Sequence, residues 1–182
     1  MRFNHIFKLT NENETHREYK CDNVNINIDF ISGSALRVAV FNDNAEMLPT
    51  FTVNPNNSLS SFGRSRLSVD GFDCVAPVVE KFENKEKFVL DCGVTVDLDL
   101  NNFILSYSKE SKLLFGDRAP LAYNFEGEFG NGSYHYITRE DDEHIFGLGD
   151  KSGLINKAGQ VYRIETADSM GFDAEKTDPL YK

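Results

Sequence analysis

The stretch KFVLDCGVTVDLDLNNFILSYS, residues 87–108, constrains the fold more than any other part of the chain. Phe88, Leu90, Cys92, Val94, Val96, Leu98 and Leu100 all fall on even numbers, against Lys87, Asp91, Thr95, Asp97 and Asp99 on odd ones. A period of two places alternate side chains on opposite faces of an extended chain, so this is a strand pattern with one apolar face. The run is long for one strand, and Asp91-Cys92-Gly93 is expected to bend or bulge it. Asn101-Asn102 reads as a turn, after which Phe103, Leu105 and Tyr107 begin a return strand.

The same period recurs upstream. In VNINIDFI, Val24, Ile26, Ile28 and Phe30 alternate with Asn25, Asn27 and Asp29, which predicts a half-buried strand with one wet face. Ser32-Gly33-Ser34 reads as a turn into a second strand carrying Leu36, Val38 and Val40, so the pair forms a hairpin. KESKLLF repeats turn and strand. No window of 10–12 residues has an apolar period of 3.6. The expectation is an all-β antiparallel sandwich, one domain over residues 1–182. Regular strands fill about 1–115, and a Gly-rich, loop-dominated part fills about 116–182, where YHYIT is the only obvious strand. A chain of 182 residues can bury a sizeable core in this way.

Charge and cysteine content narrow the partners. A net charge of −10 argues against a phosphate backbone or an anionic membrane surface, so neither nucleic acid nor membrane is expected as a partner. The start of the chain does not read as a signal peptide, and no segment approaches the roughly 20 apolar residues of a membrane-spanning helix. Cys21, Cys74 and Cys92 are odd in number and lack CxxC spacing, which fits free buried thiols in a reducing cytoplasm better than a disulfide frame or a zinc site.

Local motifs give little chemistry by themselves. HIFGLGDKSG offers glycines but neither GxxxxGK[ST] nor GxGxxG spacing, and it reads as a tight turn. His135 and His144, with Asp141, Asp142 and Glu143 between them, could be drawn as a metal cluster. Successive residues there point different ways, so the acidic run reads as a solvated loop. His5 and His16 carry no signal, and no GxSxG elbow frames a serine. No metal and no cofactor are expected. These residues alone stop at a soluble β-sandwich, with ligand binding left open.

The last fifth of the chain goes further. Phe146-Gly147-Leu148-Gly149-Asp150, Lys157 through Gly159, Tyr162-Arg163, Asp168, Gly171-Phe172-Asp173 and Asp178-Pro179-Leu180-Tyr181-Lys182 follow one another in an order and spacing that resembles glycoside hydrolase family 31, the α-glucosidase and α-xylosidase family. SALRVAVF with PTFTV, and VTVDLDLNNFILSYS, resemble earlier strands of that family's N-terminal domain more loosely. Two departures stand out. Glu165-Thr166-Ala167 occupies the place of the family's Trp-Asn-Thr, and Asp150 stands where Glu is usual.

The resemblance implies a galactose mutarotase-like sandwich that packs on a (β/α)₈ barrel of the same polypeptide. In that family the barrel supplies the two carboxylates of a retaining double displacement. Neither barrel motif occurs here, so no catalytic residue is assigned, and the chain is expected to be an N-terminal domain without hydrolase activity of its own. The resemblance also implies that a loop reaches the sugar site. Asp168 is the matching aspartate, since an ionised carboxylate accepts two hydroxyl hydrogen bonds and cannot donate. Phe172 either offers an apolar face to a sugar ring or packs on the barrel. Gly147, Gly149, Tyr162, Arg163, Gly171 and Asp173 are expected to shape the loop, with Arg163 pairing as a bidentate fork. The implied substrate of the whole enzyme is an α-linked oligosaccharide. A stand-alone carbohydrate-binding module and a purely structural domain are the competing readings.

Overall fold

The computed structural model describes residues 5–48, 64–124, 134–148 and 154–162. They form strands β1 (Lys8–Glu12), β2 (His16–Cys21), β3 (Val24–Ile31), β4 (Ala35–Asn42), β5 (Val78–Lys81), β6 (Lys85–Val89), β7 (Val94–Asp99), β8 (Ile104–Lys109), β9 (Lys112–Gly116), β10 (Tyr123–Asn124) and β11 (Tyr134–His135). Among the described residues there is no helix, and so none long and apolar enough to cross a membrane. Strands β1-β2-β3-β4 make one antiparallel sheet in chain order, β5-β6-β7-β8-β9 a second, and β10-β11 a short ribbon. The chain divides into two compact units, Met1–Thr138 and Arg139–Lys182. All eleven strands lie in the first.

The apolar faces of the two larger sheets share one core. Phe7, Tyr19, Val24, Ile26, Ile28 and Phe30 meet Phe88, Leu90, Val96, Leu98, Phe103 and Leu105. Aromatic edges lock the faces together: Phe30 lies 5.1 Å from Phe88, while Phe7 and Tyr19 each lie 5.3 Å from Phe103. Fully burying each such side chain stabilises the fold by about 1.5–3 kcal/mol, and edge contacts add to that. The sandwich expected from the period-two runs is the fold observed.

The long even-numbered run is two strands rather than one bent strand. Asp91-Cys92-Gly93 reverses the chain completely, with the Leu90 N–H bonded to the Val94 carbonyl at 2.9 Å and the Gly93 N–H to the Leu90 carbonyl at 2.8 Å. Phe88 therefore faces Val96 across the pair. Even residues oppose even residues, so the apolar parity passes unbroken through the turn, which is why local periodicity could not see the reversal.

Gly33, in the turn between β3 and β4, meets this reversal from the other sheet. Its carbonyl accepts the Cys92 N–H at 3.0 Å, and a Cβ at residue 33 would stand 2.7 Å from the Asp91 Cβ. Glycine is required there by close approach. At the far end of β7, Ile6 bridges Asn101 and the Phe7 N–H bonds the Leu100 carbonyl at 2.9 Å. The sheets are thus tied at both ends of β7.

A second expectation fails at β3. Its polar face is not wet, because Asn27 and Asp29 are buried. Strand β3 is flanked on both sides by β2 and β4, and long side chains from those neighbours close over it. The Asp29 carboxylate is held by His16 Nδ1 at 2.6 Å, from β2, and by Arg37 Nε and Nη2 at 2.9 and 2.7 Å, from β4. Arg37 also donates to the Leu67 carbonyl at 2.6 Å, fastening the segment that follows.

Candidate functional site

The residues expected to serve the sugar loop fall in two groups. Asp168, Phe172, Arg163, Gly149, Gly171 and Asp173 lie outside the described residues. Gly147 and Tyr162 are described, and both belong to the second unit. Gly147 has φ +99° and Leu148 φ +66°, so the chain passes through two successive left-handed residues there. Nothing lies within 4 Å of a Cβ built on Gly147, which makes backbone conformation the reason for glycine there. Tyr162 donates to Gln160 Oε1 at 2.8 Å, and the Lys157 ammonium sits 5.3 Å from its ring centroid.

Asn156 organises this base, and local sequence reasoning passed over it. Its Oδ1 accepts the Ile145 and Ala158 N–H groups at 3.0 and 3.1 Å, and its Nδ2 donates to His144 Nδ1 at 2.8 Å. The Lys157 N–H adds a bond to the Ile145 carbonyl at 2.7 Å. One side-chain amide therefore clamps two loop segments eleven residues apart. The acidic residues 141–143 are exposed, as a solvated loop should be.

The first unit carries a titratable cluster that the sequence did not disclose. Asp117 directly follows β9, and its side chain is 3% exposed. Its Oδ2 accepts the Leu105 N–H at 2.9 Å, while its own N–H bonds the Leu105 carbonyl at 2.8 Å. The remaining oxygen holds His135 Nε2 at 2.8 Å, and the Tyr123 ring stacks on the imidazole at 4.3 Å. Tyr123 and His135 are cross-strand partners in β10-β11, so the pairing register brings their rings together. Burial, then the Asp117 charge, pushes the Tyr123 phenol up, and the same two causes push Tyr107 up to about 12. Both phenols stay neutral. Arg118 covers the face of Tyr136 at 4.0 Å.

The cluster orients an imidazole, but it does not assemble a hydrolase. Retaining glycoside hydrolysis needs two carboxyl groups about 5–5.5 Å apart, one free to attack and one to protonate. Both oxygens of Asp117 are occupied. Both oxygens of Asp29 are likewise occupied, whereas the described contacts of Glu86 both fall on Oε2. Asp29 is held by His16 and Arg37, and Glu86 accepts from Tyr19 at 2.5 Å and lies 3.6 Å from Arg17. Each acts as a tie in the scaffold.

Two antiparallel sheets packed face to face on one apolar core define an all-β sandwich domain. The profile described as the glycosyl hydrolase 31 N-terminal galactose mutarotase-like domain matches residues 25–182, and the chain belongs to that family. Among solved structures, the chain is similar to the Flavobacterium johnsoniae GH31 dextranase in a variant complexed with isomaltotriose. The TM-score is 0.63 at 19% identity, covering 90% of this chain and 18% of the dextranase chain. The same dextranase complexed with glucose gives a TM-score of 0.64 at 18% identity, covering 93% and 19%. This chain thus spans about a fifth of the dextranase's length. No curated protein sequence matches it.

Proposed function

We propose that the chain is the accessory N-terminal domain of a retaining glycoside hydrolase of the α-glucosidase type, cleaving α-linked oligosaccharides. In this reading the domain packs on a catalytic (β/α)₈ barrel of the same polypeptide and lends it the loop that carries Asp168 and Phe172. The observation that carries the reading is the reach of the family match, which runs through residues 25–182 and so includes the Asp168 segment. The related dextranase is complexed with isomaltotriose and with glucose, which supports an oligosaccharide as the ligand of the whole enzyme. For the barrel-facing surface we take the exposed apolar row Leu113, Leu114 and Phe115 on β9 together with Ile137, in the bridge to Asp117. Apolar side chains clustered on a surface in this way mark an interface.

The test is Asp168→Ala in the full-length enzyme. A hydrogen bond from a sugar hydroxyl to a charged acceptor is worth about 1.5–3 kcal/mol, so kcat/KM should fall by roughly 10–100-fold with the fold intact. Unchanged kcat/KM would return Asp168 to the status of a surface acid. Turnover of a chromogenic α-glucoside by this chain alone would place the chemistry in the sandwich instead. Calorimetric binding of isomaltose by the isolated chain would favour a stand-alone carbohydrate-binding module.

A further inference from the structure

We infer that His5, Cys21 and Asp22 form a binding site for a thiophilic divalent cation of the zinc type. One donor atom from each residue lies within 4.8 Å of the other two. Cys21 Sγ stands 3.9 Å from His5 Nδ1 and 4.0 Å from Asp22 Oδ2. With metal–sulfur bonds near 2.3 Å and metal–nitrogen or metal–oxygen bonds near 2.0–2.2 Å, tetrahedral ligand atoms stand about 3.5 Å apart. Small side-chain rotations therefore close the set around one ion.

The backbone that carries these donors is held from several directions. The His5 N–H donates to Asn102 Oδ1 at 2.9 Å, its carbonyl accepts the Asn102 N–H at 2.6 Å, and Ile6 bridges Asn101. Cys21 ends β2 and pairs with Val24, and Asp22 opens the two-residue turn between them at φ +51°. The donors thus come from two segments sixteen residues apart that the sandwich itself brings together.

The donor chemistry selects the ion. Sulfur and imidazole nitrogen favour zinc-like cations, whereas magnesium and calcium want oxygen. A thiolate and a carboxylate cancel a charge of +2, and the neutral imidazole completes three protein ligands. His5 is exposed, which leaves the fourth position to water. The ligand form of cysteine is the thiolate, so binding an ion releases the thiol proton. The expectation from cysteine spacing, three free buried thiols, is corrected on exposure: Cys21, Cys74 and Cys92 are free but only half-buried. Spacing rules look for CxxC and miss donors gathered by strand pairing.

Cobalt(II), titrated into the purified chain with a non-thiol reductant present, is the direct probe. The expected result is a thiolate-to-cobalt charge-transfer band that saturates at one ion per chain, is displaced by zinc, and is lost in Cys21→Ser. Losing even a supporting partner of a ligand costs about 10–100-fold in metal affinity, so His5→Ala and Asp22→Asn should each weaken binding by at least about a hundredfold. In the unmodified chain, zinc should slow alkylation of Cys21 and leave Cys74 and Cys92 unchanged, as read by peptide mapping. This arm needs no variant to fold. Absence of the band, its survival in Cys21→Ser, or equal protection of all three cysteines would overturn the site.

Discussion

Replacing Tyr19 by Phe removes one oxygen and tests how the two sheets are joined through polar contacts. Tyr19 is 1% exposed on β2, and its hydroxyl donates to Glu86 Oε2, on β6 of the opposite sheet, at 2.5 Å. Glu86 is itself buried, and its other described partner, Arg17 Nη1, stands 3.6 Å away. The substitution leaves packing almost unchanged, since the ring still meets Phe103 at its edge. What is lost is a hydrogen bond to a buried charged acceptor, worth about 1.5–3 kcal/mol. Taking about 2 kcal/mol, Tm should drop by roughly 4–8 °C for a chain of this size. Urea unfolding followed by circular dichroism suits a protein without Trp, and the midpoint should fall with the m-value unchanged. Glu86→Gln and the double variant close a cycle whose coupling should lie within about 0.5–3 kcal/mol. A Tyr19→Phe loss below about 0.5 kcal/mol, the range of ordinary surface changes, would refute the assignment of this bond as an inter-sheet tie.

Both ring nitrogens of His16 face carboxylates, Asp29 at 2.6 Å and Glu18 at 3.0 Å, and a carboxylate can only accept, so the bound form is the imidazolium. Burial opposes that charge, but the bonds to Glu18 and Asp29 outweigh it and raise the His16 pKa. The folded state then holds the proton more tightly than the unfolded chain, whose value is about 6.5. The contribution is complete below that pH and is lost as pH rises through the folded value. Urea midpoints should therefore decline as pH rises above about 6.5, and His16→Gln should flatten the decline; an identical slope in the variant would remove His16 from the account. At the β8–β9 turn, Glu110 and Ser111 both adopt positive φ, 52° and 64°, without a glycine. Left-handed backbone costs a side-chain-bearing residue about 1–2 kcal/mol, partly offset in glycine by greater freedom of the unfolded chain. Ser111→Gly should stabilise the domain by about 0.5–1 kcal/mol, and a Tm no higher than that of the parent would contradict it.

The sandwich was legible because strand faces are written locally. Val24 to Phe30 and Phe88 to Leu98 alternate with a period of two whatever surrounds them, and the buried faces follow that alternation. What local pattern could not carry is where a strand lies in its sheet. The odd face of β3 has the composition of a wet surface, yet Asp29 is buried because β3 is central and receives His16 and Arg37 from its two neighbours. The reversal at Asp91-Cys92-Gly93 escaped for a related reason: even residues paired with even ones leave the parity of the run intact. The polar clusters depend on partners still farther apart, with His135 meeting Asp117 across 18 residues and Tyr19 meeting Glu86 across 67. The family membership was legible for the opposite reason, since the resemblance lies in contiguous order and spacing.

That division bears on where the chemistry resides. A catalytic carboxylate must keep an oxygen free and adjust its proton affinity to the reaction. Asp29 and Asp117 have both oxygens bonded, and Glu86 accepts from Tyr19 of the opposite sheet, so all three are engaged by donors from other strands. Burying a carboxylate costs several kcal/mol unless it is fully bonded, and the sandwich meets that cost with cross-strand and inter-sheet ties. Those ties hold the β-strands in fixed register. Strands fixed in this way make a firm platform for the short turns between them. The buried acids are the fixed ties of the sandwich, and that the Asp168 segment reaches the sugar belongs to the function we propose.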